Sequence, residues 1–450
     1  MAWYYRQSNG HSSRFPCVVI RSITVSNIKL FGNTGSAHLA EKRPGKTKKP
    51  KKKGRGRRAL IAIAIILALL IGLYCLCVFS DIPFIAKWRT IYIQTAMDTM
   101  NHQWLATAFL PQSVIDEAMA KRDEAIEEQG QHNSSEDWAP KETPPRVTPH
   151  KDDTTEVKFG EDDFYELFWE IDKDSMQEYL DEHPEALDDG WEELCINEAG
   201  LDDKGTSIKT TMGEQVLAVD VPNQILLVRV TGSGYRGVLA VAKDPSRLTV
   251  ENASTLGNVG EQVGTIAEAH DGVLAMNGSG FADEGGVGLG GSLSGYAMSN
   301  GKGYGDHLGG NNKRIELRED NYFYIVDAQS PVDPETTDAV EFTPAIIVDG
   351  QRLNTYGWDS LNPRAVIGQS DRGEILMLVI EGRLIDSIGV SVDECGKILE
   401  KHNCMQAMNL DGGTSAILWY DGESVTRCSN QALPGGRQLP NAFVYARADS

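Results

Sequence analysis

Arg364-Ala365-Val366-Ile367 and Ile375-Leu376-Met377-Leu378-Val379-Ile380 are two short apolar runs, and the Asp371-Arg372-Gly373 between them is a turn signal. They read as strands joined by a turn, and the same texture recurs on both sides. Residues 224–231, 237–243, 273–276, 322–326 and 345–348 are apolar or alternating, and Asp349-Gly350 supplies a further turn. Two helices are expected to interrupt them, near 261–270 and over 392–403, the second opened by Ser391-Val392-Asp393-Glu394 in capping-box form. Strands in runs with few helices predict an α+β domain over 206–450, a mixed or antiparallel sheet with a few packed helices, rather than a doubly wound sheet.

Upstream the texture is different. Residues 59–79 form an unbroken apolar run of 21 residues without a charge, the length of a single transmembrane helix. Eleven Lys and Arg between Lys42 and Arg58, with no acid among them, precede it, and positive charge beside a span stays cytoplasmic. No small-residue cleavage site closes the run, which ends Leu76-Cys77-Val78-Phe79, so a retained anchor is expected rather than a signal peptide. The expected localisation is therefore the cell membrane, single-pass type II, with the N-terminus inside and the C-terminal domain outside.

The organisation that follows is a basic tail over 1–58, a span over 59–79, an amphipathic helical stalk over 80–129 and an acidic linker with short helices over 130–205. Residues 1–40 show no period. Charge divides at the membrane: residues 1–58 carry +14, leaving −35 of the net −21 on the remainder, which excludes nucleic acid as a partner of the exterior part. Four of the seven cysteines, Cys195, Cys395, Cys404 and Cys428, fall on that exterior side, where a disulfide among the last three is an expectation that spacing does not select.

Chemistry concentrates near the C-terminus, in Asn409-Leu410-Asp411-Gly412-Gly413-Thr414-Ser415. Two glycines behind a carboxylate let consecutive N–H groups approach an anion, although the same residues also make an ordinary Gly-rich turn. In chain order the domain also offers Asn277-Gly278-Ser279-Gly280-Phe281, Asn362-Pro363-Arg364-Ala365-Val366-Ile367-Gly368, Glu381-Gly382-Arg383 and Gly436-Arg437-Gln438-Leu439-Pro440-Asn441-Ala442. Five such motifs in this order resemble the phosphodiester glycosidase family over about 206–447. The span, the stalk and the glycine-rich 285–291 resemble its membrane-anchored, exopolysaccharide-associated Gram-positive branch.

The resemblance implies hydrolysis between a sugar's anomeric carbon and a phosphodiester oxygen, in a surface polysaccharide or cell-wall polymer. It implies Asp411 as the catalytic carboxylate with Glu381 as its partner, Asp386 and Asp283 being the other candidates for that second place. Arg364, Arg383 and Arg437 would bind phosphate, since a guanidinium presents a planar fork to phosphate oxygens. Asn277, Gly278, Asn409, Gly412, Gly413, Thr414 and Ser415 would complete a sugar and phosphate cradle. Ser279, Thr414 and Ala416 depart from the family pattern at a second glycine, a third glycine and a final serine. Ser279 and Thr414 favour a rival, a noncatalytic glycan-binding or assembly module, and a glycosyl-phosphodiester transferase is a third reading. His307, Tyr356 and Trp358 read as ordinary loop and packing residues. The chemistry requires no cofactor and no metal site is expected; Asp- and Gly-rich loops can hold Ca²⁺, but neither EF-hand spacing nor a His pair at i, i+4 is present.

Overall fold

The structure, a computed structural model, describes residues 55–99, 102–136, 138–139, 159–201, 204–283 and 288–448. The expected tail up to 54 and, within the acidic linker, residues 137, 140–158 and 202–203 lie outside the described residues. Helix α1 (Arg55–Phe79) contains the expected span, and its part Arg57–Phe79 is long and apolar enough to cross a membrane.

The helix-prone stretch after it divides into α2 (Pro83–Met97), α3 (Trp104–Thr107) and α4 (Gln112–Gln129). Proline explains two of the boundaries: Pro83 sits in the first turn of α2, and Pro111 is the extended N-cap of α4. Ile93, Ala96, Ala106, Ile115 and Ala118 are buried together between these helices. The stretch expected as a helical stalk thus consists of three helices packed into a small cluster. Residues 130–139, expected as the start of the linker, lie on the β domain where described: Lys313 Nζ donates to the His132 carbonyl at 2.7 Å and Ser134 N to the Ile325 carbonyl at 2.8 Å. Two further helices follow, α5 (Glu161–Leu167) and α6 (Lys173–Glu182), the latter capped by Asp172, whose side chain accepts from Ser175 N at 2.9 Å.

The rest is α+β, as expected, with antiparallel sheets and the helices α7 (Val263–Ala269) and α8 (Val392–Lys401). A nine-stranded sheet runs from edge to edge through Cys195–Asn197, Gln215–Asp220, Ile225–Gly232, Tyr235–Ala242, Ile375–Ile380, Arg364–Ser370, Cys404–Asn409, Ala345–Val348 and Gln351–Arg352. A five-stranded sheet runs through Glu423–Ser424, Leu418–Tyr420, Gly272–Asn277, Asn441–Ala446 and Leu248–Asn252. Along 375–380 side chains alternate between two cores. Leu376, Leu378 and Ile380 meet α5, α6 and α8, while Ile375, Met377 and Val379 meet residues of the other sheets, including Met276, Phe443 and Tyr445. Burial on both faces explains why that run is continuously apolar.

Antiparallel register also collects the motifs. Arg364, at the start of its strand, pairs with Ile380 at the end of the next, and Val366 pairs with Asn409, the last residue of its strand. In the five-stranded sheet Asn277 ends its strand opposite Ala442. The chain then crosses from one sheet to the other between Asn409 and Leu418, and that crossing is the Asp411 loop.

One expectation is corrected here. Cys195, Cys395, Cys404 and Cys428 are all free thiols. Cys395 and Cys404 belong to the core under α8, where the Cys404 thiol donates to the Gln406 carbonyl at 3.2 Å, whereas Cys428 lies in a separate core beside α7.

Candidate active site

The loop that crosses between the sheets is held from three sides. Asn277, fully buried, donates its amide N–H to the Asp411 carbonyl at 2.8 Å and accepts from Ile417 N at 3.4 Å, pinning both ends of the turn to the five-stranded sheet. Gly413 N donates to the Pro363 carbonyl at 3.2 Å, and a Cβ on Gly412 would meet that same oxygen at 2.5 Å, so only glycine fits against the backbone just before the Arg364–Ser370 strand. Gly413 has φ +65°, and a Cβ there would lie 3.2 Å from Arg383 Nη1, so the loop and that guanidinium are in contact. Gly413 to Ser415 then form a 3₁₀ turn.

Asp411, partly exposed at the surface of this turn, is pushed up to about 6. Burial of its carboxylate is the main cause; the Ser415 hydrogen bond and the Arg437 charge oppose it, Asp283 adds to it, and Arg383 opposes it. Two of these groups are held together beside the turn. Arg437 Nη1 donates to Asp283 Oδ2 at 2.6 Å and Nη2 to the Gly288 carbonyl at 2.9 Å, with its guanidinium 4.5 Å above the Phe281 ring. Burial opposes ionisation of Asp283, but the hydrogen bonds from Arg437 and Gly288 N outweigh it and hold that carboxyl below its usual range. Arg383 adopts φ +59°, uncommon for a residue with a Cβ, and donates through Nε and Nη2 to Asn362 Oδ1 at 3.2 and 2.9 Å.

Of the residues expected at the site, the structure brings together Asp411, Gly412, Gly413, Thr414, Ser415, Arg383 and Arg437, with Asp283 beside them. Glu381, expected as the second carboxylate, is placed differently. It is buried, accepts from Arg427 N at 3.0 Å, Arg427 Nε at 2.8 Å and Arg427 Nη2 at 2.6 Å, and faces Arg236 Nε at 3.3 Å. Its two oxygens are spent on that ion pair. Asp386 shares Arg427, at 2.9 Å.

Arg364, expected to bind phosphate, is also buried. Its Nε donates to the Val390 carbonyl at 3.1 Å, and its Nη2 donates to the Ser360 carbonyl at 2.7 Å and to Ser360 Oγ at 2.9 Å. Asn277 is a pin rather than an open ligand. Gly278 fits under Asn441, whose side-chain oxygen would lie 2.5 Å from a Cβ there, and Asn409 donates to the Thr343 carbonyl at 3.0 Å. His307 is bonded to Glu341 at 2.6 Å and stacked on Tyr296, and Trp358 is buried, while Tyr356 is exposed. Among the described residues no group of three His, Cys, Asp or Glu side chains is placed to hold a metal.

Part of the arrangement has no signal in the sequence. Asp98, at the C-cap of α2, pairs with Arg122 of α4 at 2.9 Å and accepts from Ser360 Oγ at 2.5 Å. Ser360 Oγ accepts from Asn362 Nδ2 at 3.0 Å, and Asn362 in turn accepts from Arg383. Gln94 Oε1 and Thr95 Oγ1 accept from the backbone of Asp359 and Leu361 at 2.9 and 3.1 Å, and both Arg122 Nε and Nη2 donate to the Gly357 carbonyl. The helices after the span are therefore wired to the loop that supports Arg364 and Arg383. Partners 262 residues apart in the chain leave no local pattern to read.

A raised carboxylate that feels the charge of two guanidinium groups, on the loop that crosses between two sheets, is chemically suited to acid–base work on an anionic substrate. Residues 270–446 match the family model described as phosphodiester glycosidase, a span that takes in every motif from Asn277 to Asn441. The match starts later than the expected 206, although the strands over 215–242 belong to the same nine-stranded sheet.

No curated protein matches the chain. Among solved structures, the zebrafish N-acetylglucosamine-1-phosphodiester alpha-N-acetylglucosaminidase catalytic domain, auto-inhibited by its pro-peptide, is similar at 18% identity and a TM-score of 0.42, over 49% of this chain and 82% of that one. A hypothetical protein from Synechocystis is similar at 15% identity and a TM-score of 0.36, over 52% of this chain and 64% of that one. A putative exported protein from Burkholderia pseudomallei is similar at 14% identity and a TM-score of 0.40, over 47% and 74%.

Proposed function

We propose that this is a membrane-anchored, single-pass type II protein whose outer domain hydrolyses a sugar-1-phosphodiester bond in a surface polysaccharide or cell-wall polymer. The observation that carries the reading is the Asp411 turn, met by Arg383 at Gly413, with the Arg437–Asp283 pair acting on the Asp411 charge. In this reading the two guanidinium groups hold the phosphodiester monoanion. The bond between the anomeric carbon and the phosphate oxygen breaks with its electron pair going to the phosphate, whose added charge Arg383 and Arg437 take up. Water adds to the oxocarbenium-like carbon and ionised Asp411 accepts the proton, giving free sugar and a phosphomonoester. Phosphate leaves more readily than an alkoxide, so the step needs no strong general acid. Asp283 holds Arg437 in place, and Glu381 and Arg364 support the loops.

Anchoring is supported by the apolar Arg57–Phe79 and the basic run before it. The test is turnover of a sugar-1-phosphodiester by detergent-purified full chain and by Asp411→Asn, with an expected loss of about 100-fold or more. Turnover that survives the substitution removes Asp411 from the reaction. Binding of glycan without turnover by the unaltered protein establishes the binding module instead, and an added sugar acceptor that appears in the product establishes transfer. Proteinase K applied to intact cells is expected to degrade the C-terminal domain; complete protection overturns the type II orientation.

A further inference from the structure

The cluster of α2, α3 and α4 uses its two sides differently. One side buries Ile93 and Ala96 and, through Gln94, Thr95 and Asp98, holds the 357–362 loop of the β domain. The other side is aromatic and uncovered. Phe84, Trp88 and Tyr92 recur at four-residue spacing along α2 and are 72, 51 and 45% exposed, while Trp104 and Phe109 are 56 and 58% exposed. Phe84 contacts Trp88 edge-on with ring centroids 6.5 Å apart, and Trp104 contacts Phe109 at 6.4 Å, so these rings form a patch rather than scattered residues. Exposed apolar area of this kind marks an interaction surface.

Its position identifies the partner. α2 begins four residues after α1 ends, and Arg89 Nη1 of α2 donates to the Val78 and Ser80 carbonyls at 2.9 and 3.0 Å, bonding the two helices at the end of the apolar run. Tyr74, inside that run, donates to the Phe109 carbonyl at 2.8 Å, and Tyr92 donates to the Leu105 carbonyl at 2.6 Å. The patch is thus continuous with the last turns of the helix long enough to cross a membrane. It has the composition of an interfacial belt, Trp and Tyr with apolar bodies and polar tips at headgroup level, and Lys87 is exposed beside it.

We infer that α2 and α3 lie in the membrane–water interface of the bilayer that α1 spans, with Phe84, Trp88, Tyr92, Trp104 and Phe109 seated at the boundary between headgroups and acyl chains. The occupant of this surface is lipid. The cluster is then a foot that seats the domain on the membrane, and the Asp98–Ser360 contact joins that foot to the loop behind the Arg383 site. The inference rests on insertion of α1, as read in the preceding subsection.

The test separates the two. Full-length protein is reconstituted into phosphatidylcholine vesicles whose lipids carry bromine at shallow acyl carbons, and tryptophan fluorescence is compared with that in unbrominated vesicles. The span has no tryptophan of its own, so a signal from this region comes from Trp88 and Trp104. The expected result is strong quenching that falls at least twofold in Trp88→Leu/Trp104→Leu. Quenching that is absent, or unchanged in the double variant, while the protein resists extraction by alkaline carbonate overturns the seating and leaves the anchor standing. Extraction by carbonate overturns the anchor itself. Intermolecular disulfides formed by Trp88→Cys in unquenched vesicles show that a second copy covers the patch instead, which also overturns the inference.

Discussion

Asp411 is the residue on which the proposed chemistry turns, and its surroundings give it a pH signature. With its folded value at about 6, activity that needs the ionised carboxylate rises with pH through that value and levels above it. Neighbouring charges fix the sign of each perturbation. Arg437 and the Ser415 hydroxyl hold the value down, so Arg437→Met and Ser415→Ala are expected to shift the inflection of kcat/KM upward, while Asp283→Asn is expected to shift it downward. Profiles of these three variants that superimpose on that of the unaltered protein would show that another group titrates. Stability runs the opposite way with pH. A carboxyl raised on folding contributes stability that is complete below about 4, its ordinary range, and is lost as pH rises through about 6. Asp411→Asn, which cannot ionise, is therefore expected to raise Tm at pH 8 and to leave it unchanged below pH 4.

Glu381 makes the opposite case at the same scale. Its carboxylate is buried with Arg427 and Arg236, so Glu381→Gln leaves guanidinium groups without their counter-charge. The expected cost is about 3 kcal/mol in denaturant unfolding, at the lower end for a broken ion pair because Arg427 is about a quarter exposed. Turnover per folded molecule is expected to persist. The Glu-Gly-Arg motif was visible in the sequence, but whether its carboxylate faces substrate or Arg427 depends on a partner 46 residues away. Asn277 has the same ambiguity, since an Asn-Gly at a strand end suits either a ligand or a pin. Local sequence marks such a residue as special without saying for what.

Among the elements, the strands over 272–277, 345–348 and 375–380 were legible because burial on both faces forces near-continuous apolar runs. Lys313–Arg318 and Thr336–Phe342 were not legible, though they are neighbours inside a second five-stranded sheet, flanked by Ala297–Ser299 and Phe323–Asp327. Their pattern is charged because the charges satisfy one another inside: Arg314 pairs with Glu316 at 2.7 Å, Arg318 pairs with Glu316 at 2.8 Å, and Glu341 lies 3.5 Å from Arg314. Hydropathy registers each charge but not its partner. The same limit hid the contact between the helices after the span and the 357–362 loop. There Asp98 acts through Ser360 and Asn362 on the orientation of Arg383. Asp98→Ala is expected to lower kcat about tenfold with a smaller change in KM and no change in the pH inflection, and Asp98→Asn, which still accepts from Ser360, to recover most of the loss. Equal loss in Asp98→Ala and Asp98→Asn would show that charge rather than the hydrogen bond matters.

For the molecule as a whole, the last turns of the apolar helix, the exposed aromatic patch and the 357–362 loop are joined by hydrogen bonds, and on the proposed seating that connection bears on the substrate. If the domain is seated on the bilayer, a glycosyl phosphodiester anchored in the same leaflet meets the site at an effective concentration set by two dimensions rather than three, an advantage that short tethers commonly raise to 10²-fold or more. We therefore expect the reconstituted full chain to cleave a sugar-1-phosphodiester bearing a long acyl tail with a KM at least about tenfold below that for the same headgroup with a short soluble tail. The comparison discriminates because bond-breaking is the same for both substrates, so kcat is expected to match and only KM to separate. Dissolving the vesicles in detergent, which removes the shared surface, is expected to bring the two KM values together. A preference for the acyl tail that persists unchanged in detergent would place its origin in a lipid-binding groove of the domain instead, and equal KM values in vesicles would mean that the seated domain draws its substrate from solution.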